Sequence, residues 1–448
     1  MRLLFVCFLA HWVKCNENYT LSPELLQSVF GNLTDIKPLS DEPIATTLKP
    51  LSEPGLVLYK PDNYRPSFAE YDKFDWTLTK RVAVTAHENF LISPLGLKLS
   101  LAILVEAASG ATRSEISNVL GLDLKHDVVR KKFETILESL QAKSDKYILD
   151  LGSRIYVGAS VRPPQKFAVI SKQYYNTDII SLDLSNSADA ATSINSWVSN
   201  VTQGRIPNLV NQDDINGVVA MVLNTLYFKG TWRHQFSVND TKLDSFYVTP
   251  DNKKPTLFMH VRRKFFYAES VKFSAKILRM SYIGCKFAMY VIVPNSLTGL
   301  PQIFNNIIDL RSELGNLTER LVDVILPKFH FEYTSVLDEV LRELGIRQAF
   351  EDTASFPGIS RGQTLKNRLK ISKVLQRSGI EVNELGSIAY SATDISLDNK
   401  FGEDDDMMAQ VIANKPFMFF IQDEETRQLL FTGRVVDPTL GQGELSVK

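Results

Sequence analysis

The chain has 448 residues, of which 44% are hydrophobic, 10% aromatic and 23% charged, which excludes a disordered polymer, a collagen-like repeat and a disulfide-dense mini-scaffold. With 50 Lys and Arg against 51 Asp and Glu, the net charge is -1, so no global bias points to nucleic acid or to an anionic membrane. The length fits either several average domains or one large α/β or α+β unit.

The first 15 residues read as a signal peptide. Arg2 supplies a positive start, Leu3 to Ala10 is an apolar run, and Val13 and Cys15 suit positions -3 and -1 of a cleavage site. Cleavage there would leave Cys285 as the one remaining cysteine and no internal disulfide. No stretch approaches the ~20 apolar residues of a membrane span. Sequons at Asn18, Asn32, Asn200, Asn239 and Asn316 agree with the secretory route and an extracellular glycoprotein. Residues 16–67 hold prolines at 23, 38, 43, 50, 54, 61 and 66, which resist both helix and central strand. They form an extension, with one short helical segment at Pro23-Glu24-Leu25-Leu26, and the domain proper begins at Phe68.

Beyond Phe68, helical and strand-like segments mix without regular βαβ alternation, which predicts an α+β fold. Ser93-Pro94 is a helix start, an N-cap followed by proline at the first helical position. Leu95 to Ala108 is apolar almost all round, so this helix is expected inside the core, stopped by Gly110. An amphipathic helix over 127–141 carries Arg130, Lys131 and Lys132, and Asn195 to Thr202 sits in another. The run Val218 to Phe228 predicts a central strand covered on both faces. Met289 to Val293 and Gln428 to Val436 are further core strands, and a polar tail follows at 441–448.

Catalytic signatures are missing. There is no GxSxG elbow, phosphate loop, HExxH or paired CxxC, and the six histidines lack ligand spacing. No enzyme, cofactor or metal is therefore expected. The informative stretch is about 386–412, a long segment without helical periodicity between strand-like Ile380 to Glu384 and Ala413 to Ile421. Counting from Gly386, the alternate positions Ser387, Ala389, Ser391, Thr393, Ile395 and Leu397 are small and then apolar, while the other set is larger or polar. A period of two lets such a loop become a strand with one face buried.

These residues resemble the serpin family. The stretch Ile380 to Thr393, which contains Glu384, Gly386, Ser387, Ala389, Ser391 and Ala392, is similar to the serpin hinge. Asn224 to Trp232 (NTLYFKGTW) resembles its central strand motif, Ile194 to Ile206 its sixth helix, and Asn89 to Gly96 the start of its second. Ala413 to Asp423 and Leu429 to Pro438 resemble its last strands. The resemblance spans 68–440 and implies about nine helices around three β-sheets with an exposed reactive loop. It also implies a decoy mechanism, in which a protease cuts the loop and the freed loop inserts into the main sheet before the acyl-enzyme hydrolyses.

The family's count of fifteen residues from the hinge glycine puts the reactive bond at Lys400-Phe401, which suits a trypsin-like serine protease held in a covalent complex. The acidic run Glu403 to Asp406 follows on the leaving side. By the same resemblance, Ser93 and Asn224 match the buried polar cluster beneath the sheet, where Gly96 and Gln376 stand in place of the usual serine and histidine. Trp232, Lys328 and Glu384 match positions beside the hinge. Tyr390 replaces a small hinge residue but falls on the outward face. Lys125, Arg130, Lys131 and Lys132 lie on a helix resembling one that binds glycosaminoglycan in certain serpins, although a solvated helix face is the favoured reading of them. A monomer is expected. The alternative of another class is a non-inhibitory carrier, storage or signalling protein, against which the small residues Ser387, Ala389 and Ser391 argue.

Overall fold

The computed structural model describes residues 73–123, 125–140, 146–360, 369–386 and 408–440. The predicted signal peptide, extension and tail lie outside them, as do Ser387, Ala389, Ser391, Ala392, Lys400, Phe401, Asn18 and Asn32. The described helices are α1 (Lys73–Thr85), α2 (Pro94–Ala107), α3 (Gly110–Leu120), α4 (His126–Leu140), α5 (Gln165–Tyr175), α6 (Ser187–Val201), α7 (Leu300–Asn305), α8 (Leu310–Leu314) and α9 (Asp338–Leu344). The strands through the first half are β1 (Phe90–Ile92), β2 (Tyr147–Gly158), β3 (Thr177–Leu182), β4 (Ala220–Gly230), β5 (Lys242–Thr249), β6 (Asn252–Ser270) and β7 (Ala275–Ser281). They are followed by β8 (Phe287–Pro294), β9 (Thr318–Pro327), β10 (Phe329–Val336), β11 (Lys373–Val382), β12 (Ala409–Ile412), β13 (Phe417–Asp423) and β14 (Leu429–Val435).

Two hydrogen-bonded sheets result. One runs β10-β11-β4-β2-β3, with β11 and β4 parallel at its centre. The other runs β1-β14-β13-β8-β7-β6-β9-β12, with β5 on β6. It is two sheets sharing one long strand. The early part of β6 pairs with β5 and then β9, and its end pairs with β7 and leads into the buried β8, β13 and β14. The three expected sheets are thus present, two of them joined through β6.

The apolar pattern explains the layers. In β4, Ala220, Val222, Leu226 and Phe228 belong to the main core, while Met221, Leu223 and Tyr227 belong to a second cluster with Ile194 and Trp197 of α6. Each face of the strand therefore has its own cover, which is why its sequence is apolar without alternation. Helix α2 supplies the cover on one side and packs on β2, β4 and β14. Ser93 caps it in extended conformation, its Oγ accepting the Gly96 amide at 3.1 Å. Every α2 residue but Glu106 is buried, including Lys98, whose Nζ reaches Asp75 at 2.9 Å and Gln428 at 2.6 Å.

Several boundaries differ from the sequence reading. Gly110 begins α3 with φ +56° after Ala108 and Ser109 have broken the chain from α2. The segment assigned to the loop ends sooner, because residues 409–412 form β12, a four-residue edge strand parallel to β9. So short a strand carries too little periodicity to be seen in sequence. Ala413 to Pro416 is then a link, and β13 starts at Phe417.

Candidate functional site

The site is the seam between β4 and β11 and the chain that leaves its upper end. The two strands pair in parallel from Lys373↔Met221 to Ile380↔Phe228, and Gln376 stands opposite Asn224. Both side chains point to the α2 side and are buried, as is Ser93. Gln376 Oε1 accepts the Ser93 amide at 2.6 Å, and its Nε2 donates to Ser93 O and Asn224 Oδ1, each at 2.9 Å. Asn224 Nδ2 completes the set by donating to Gly152 O in β2 at 3.1 Å. One buried amide network therefore ties β11, β4, β2 and the start of α2, and no ionisable group takes part in those bonds.

Gly96 is part of the same arrangement. A methyl group added there would sit well inside contact distance of Asn224 Oδ1 and 2.8 Å from both Cγ and Nδ2. The space that a serine would fill at position 96 is used by the Asn224 carboxamide, which turns to meet Gln376. Positions 96 and 376 are thus linked through the Asn224 carboxamide.

Above the seam, β11 ends at Val382 and the chain turns through residues 383–386. Gly386 has φ +78°, and an added Cβ would lie 2.5 Å from Thr231 Cα and 2.7 Å from Trp232 N. Only glycine fits a left-handed conformation against another backbone. The turn is also held by Trp232, whose amide donates to Leu385 O at 3.3 Å and whose Nε1 donates to Asn383 O at 2.9 Å. Trp232 is buried and stacks on Tyr282 at 4.4 Å.

Glu384 adds the charged element. Its carboxylate meets Lys328 Nζ at 2.9 Å and accepts Thr241 Oγ1 at 2.9 Å, with the Glu384 side chain 8% exposed. Burial opposes the charge, but the bonds from Lys328 and Thr241 outweigh it and hold the carboxyl below its ordinary range. Thr241 and Tyr282 were not visible as site residues in the sequence, because each acts across a long separation and no local pattern marks it. Asn383 lies within the hinge-like stretch but acts through its backbone carbonyl.

The basic helix face is partly occupied. Arg130 makes a bidentate pair with Glu106, at 2.9 Å for each bond, and the same carboxylate takes Tyr175 OH at 2.8 Å and His126 Nδ1 at 2.7 Å. Arg130 is therefore an internal tie between α4 and α2. Lys125, Lys131 and Lys132 are exposed, Lys131 beside Glu134 at 3.2 Å. Cys285 lies in the β7–β8 turn with φ +57°, and Arg233 Nη1 approaches its sulfur at 3.0 Å. Asn200, Asn239 and Asn316 are all exposed.

Known proteins share this arrangement of sequence and fold. A family described as "Serpin (serine protease inhibitor)" matches residues 69–438. "Serine protease inhibitor 2" of Anopheles gambiae is 34% identical over 376 residues, covering 82% of this chain and 91% of that protein. "Serine protease inhibitor 42Dd" of Drosophila melanogaster is 29% identical and covers 79% of this chain and 92% of its own length. Among solved structures, Serpin48 of the insect Tenebrio molitor, titled "a highly specific serpin", superposes with a TM-score of 0.73 at 30% identity, covering 81% of this chain and 96% of that one.

Proposed function

The chain belongs to the serpin family, and on that footing we propose that it is a secreted inhibitor of trypsin-like serine proteases that acts as a suicide substrate. Residues 1–15 direct it to the secretory route, and 16–67 precede the inhibitory domain. The protease attacks Lys400-Phe401, its acidic pocket pairing with the lysine ammonium. The acidic run at 403–406 favours proteases whose rim is basic.

The observation that carries the reading is the parallel seam with a hinge glycine above it. Chain leaving β11 and turning at Gly386 would run back antiparallel to both β11 and β4. A freed loop can therefore exchange one parallel ladder for two antiparallel ones, which are the more stable per residue. The period-two pattern from Ser387 onward supplies the small inward residues such a strand needs under the α2 face. Ser93, Asn224 and Gln376 resist premature opening, while Glu384, Lys328 and Trp232 set the point at which the loop starts to enter.

Incubation with trypsin tests this directly. An SDS-stable complex is expected, together with a released fragment whose first residue is Phe401. Lys400→Ala should lose the complex and keep the fold. Cleavage at Lys400-Phe401 with no trapped protease would favour the carrier, storage or signalling reading instead.

A further inference from the structure

A groove of about 670 Å³ lies on the outer side of α6, between that helix and residues 207–212. None of the described residues lining it is ionisable. Its helical wall presents Thr192, Ser196 and Asn200, which at a spacing of four share one face. The opposite wall presents the exposed amides Asn208 and Gln212.

Both walls are held in place before any ligand arrives. Asn195 Oδ1 accepts the amides of Leu209 at 2.8 Å and Val210 at 3.0 Å, and its Nδ2 donates to Val210 O at 2.8 Å. Thr202 closes the turn below by accepting Ile206 N at 3.0 Å and donating to Val198 O at 2.9 Å. The Thr192 and Ser196 hydroxyls donate to Ala188 O at 3.0 Å and Thr192 O at 2.8 Å, so their oxygens remain to accept. The exposed amides of Asn208 and Gln212 can both donate and accept. On a shallow, uncharged surface these groups match the hydroxyl and acetamido groups of carbohydrate.

Asn200 is also the acceptor of an N-x-T sequon and stands on the groove's rim. Side chains on a helix lean toward its N-terminus. A sugar attached to Asn200 is therefore aimed back over Ser196 and Thr192 and not out into solvent. From Asn200 to Ala188 the groove can follow the helix for about 18 Å, at 1.5 Å per residue. The sequon threonine is buried and fully engaged, so transfer of the glycan has to precede folding of α6.

We propose that this groove is the seat of an N-linked glycan on Asn200, whose first N-acetylglucosamine residues bridge α6 and residues 207–212. The inference rests on the secretory reading above. It gives the sugar a structural role, bracing the helix that covers one face of the main sheet.

The test uses the full chain secreted from eukaryotic cells. Occupancy at Asn200, Asn239 and Asn316 is read by peptide mass, and release by peptide N-glycosidase F is timed on the native protein. Release at Asn200 should be at least tenfold slower than at the other two sites, and equal to them after denaturation. Asn208→Ala with Gln212→Ala, both exposed and outside the seam, should bring the native rate at Asn200 up to the others. Amide exchange over 187–212 should rise when the glycan is removed. Equal native release at all three sites overturns the proposal. So does an unoccupied Asn200 beside glycosylated Asn239 and Asn316, a result that leaves the secretory reading standing, whereas sugar at none of the three sinks both.

Discussion

Replacing Gly96 with alanine drives a methyl group into the Asn224 carboxamide, 2.8 Å from its Cγ and nitrogen and closer still to its oxygen. The carboxamide cannot yield cheaply. Rotating it away breaks the bond from Gln376 at 2.9 Å and the bond to Gly152 at 3.1 Å, and all of these groups are buried. Overpacking of this kind costs ~1–3 kcal/mol, and a buried polar group left without its partner costs ~1–3 kcal/mol more. We expect Gly96→Ala to destabilise the protein by about 3–5 kcal/mol, the sum of those two ranges taken near their middles. On the proposed insertion mechanism the native form is under kinetic control, so the unfolding rate in denaturant is a better measure than an equilibrium midpoint. Asn224→Ala alone should also destabilise, but the pair Gly96→Ala/Asn224→Ala should recover most of the clash term, giving a clearly non-additive cycle. Strict additivity, or a Gly96→Ala protein as durable as the parent, would refute the coupling of positions 96, 224 and 376.

The other expectations follow from the hinge and from α4. Because Glu384 is held below its ordinary range, the folded state gains from its ionisation above pH 4.5 and loses that gain as pH falls through the lowered value; Glu384→Gln should flatten the acid side of the stability profile in thermal melts. Ser387→Arg should turn inhibitor into substrate, since entry would bury an unpaired charge at a cost of several kcal/mol on the order expected for such groups, whereas Tyr390→Arg should be mild; gels that show equal trapping by both would end the period-two reading. Arg130→Ala strips a bidentate partner from Glu106, whose side chain is only 3% exposed, and should cost about 2–3 kcal/mol, against ~0.5 kcal/mol or less for Lys131→Ala, as read from chemical denaturation.

The sequence made the layers legible where burial alone decides them. The apolar circumference of α2 and the unbroken run of β4 have no other stable home than between two covers, and both lie where the pattern put them. Ser93-Pro94 announced its helix through local chemistry, the cap and the fixed proline φ. What stayed hidden depends on contacts between distant positions. Gly110 looked like a stop because glycine ends helices, yet its positive φ opens one here. β12 is too short to show a period and exists because β9 offers an open edge. Arg130 read as one of a cationic run, while the fold assigns it to Glu106, 24 positions away in sequence.

The same distinction bears on how the proposed insertion would open the seam. Among the described residues, side-chain links span it besides the backbone ladder, one of them at its foot, where the Ser372 hydroxyl accepts the Val219 amide at 3.0 Å. Lys229 and Glu381 meet at 3.3 Å near the top, but with exposures of 23% and 31% they are screened, and such pairs contribute ~1 kcal/mol or less. The link between Gln376 and Asn224 is buried, and breaking it strands a donor and an acceptor away from water. The stronger of these last two links is therefore at mid-seam, below the hinge. On the proposed insertion mechanism, a loop entering from Gly386 would meet the weak link first and gain antiparallel pairing before it reached the strong one. A neutral glutamine at that point also makes the central link insensitive to pH. Acid can act on this seam from above, through Glu384, and has no ionisable partner to act on within the Ser93–Gln376–Asn224 network itself.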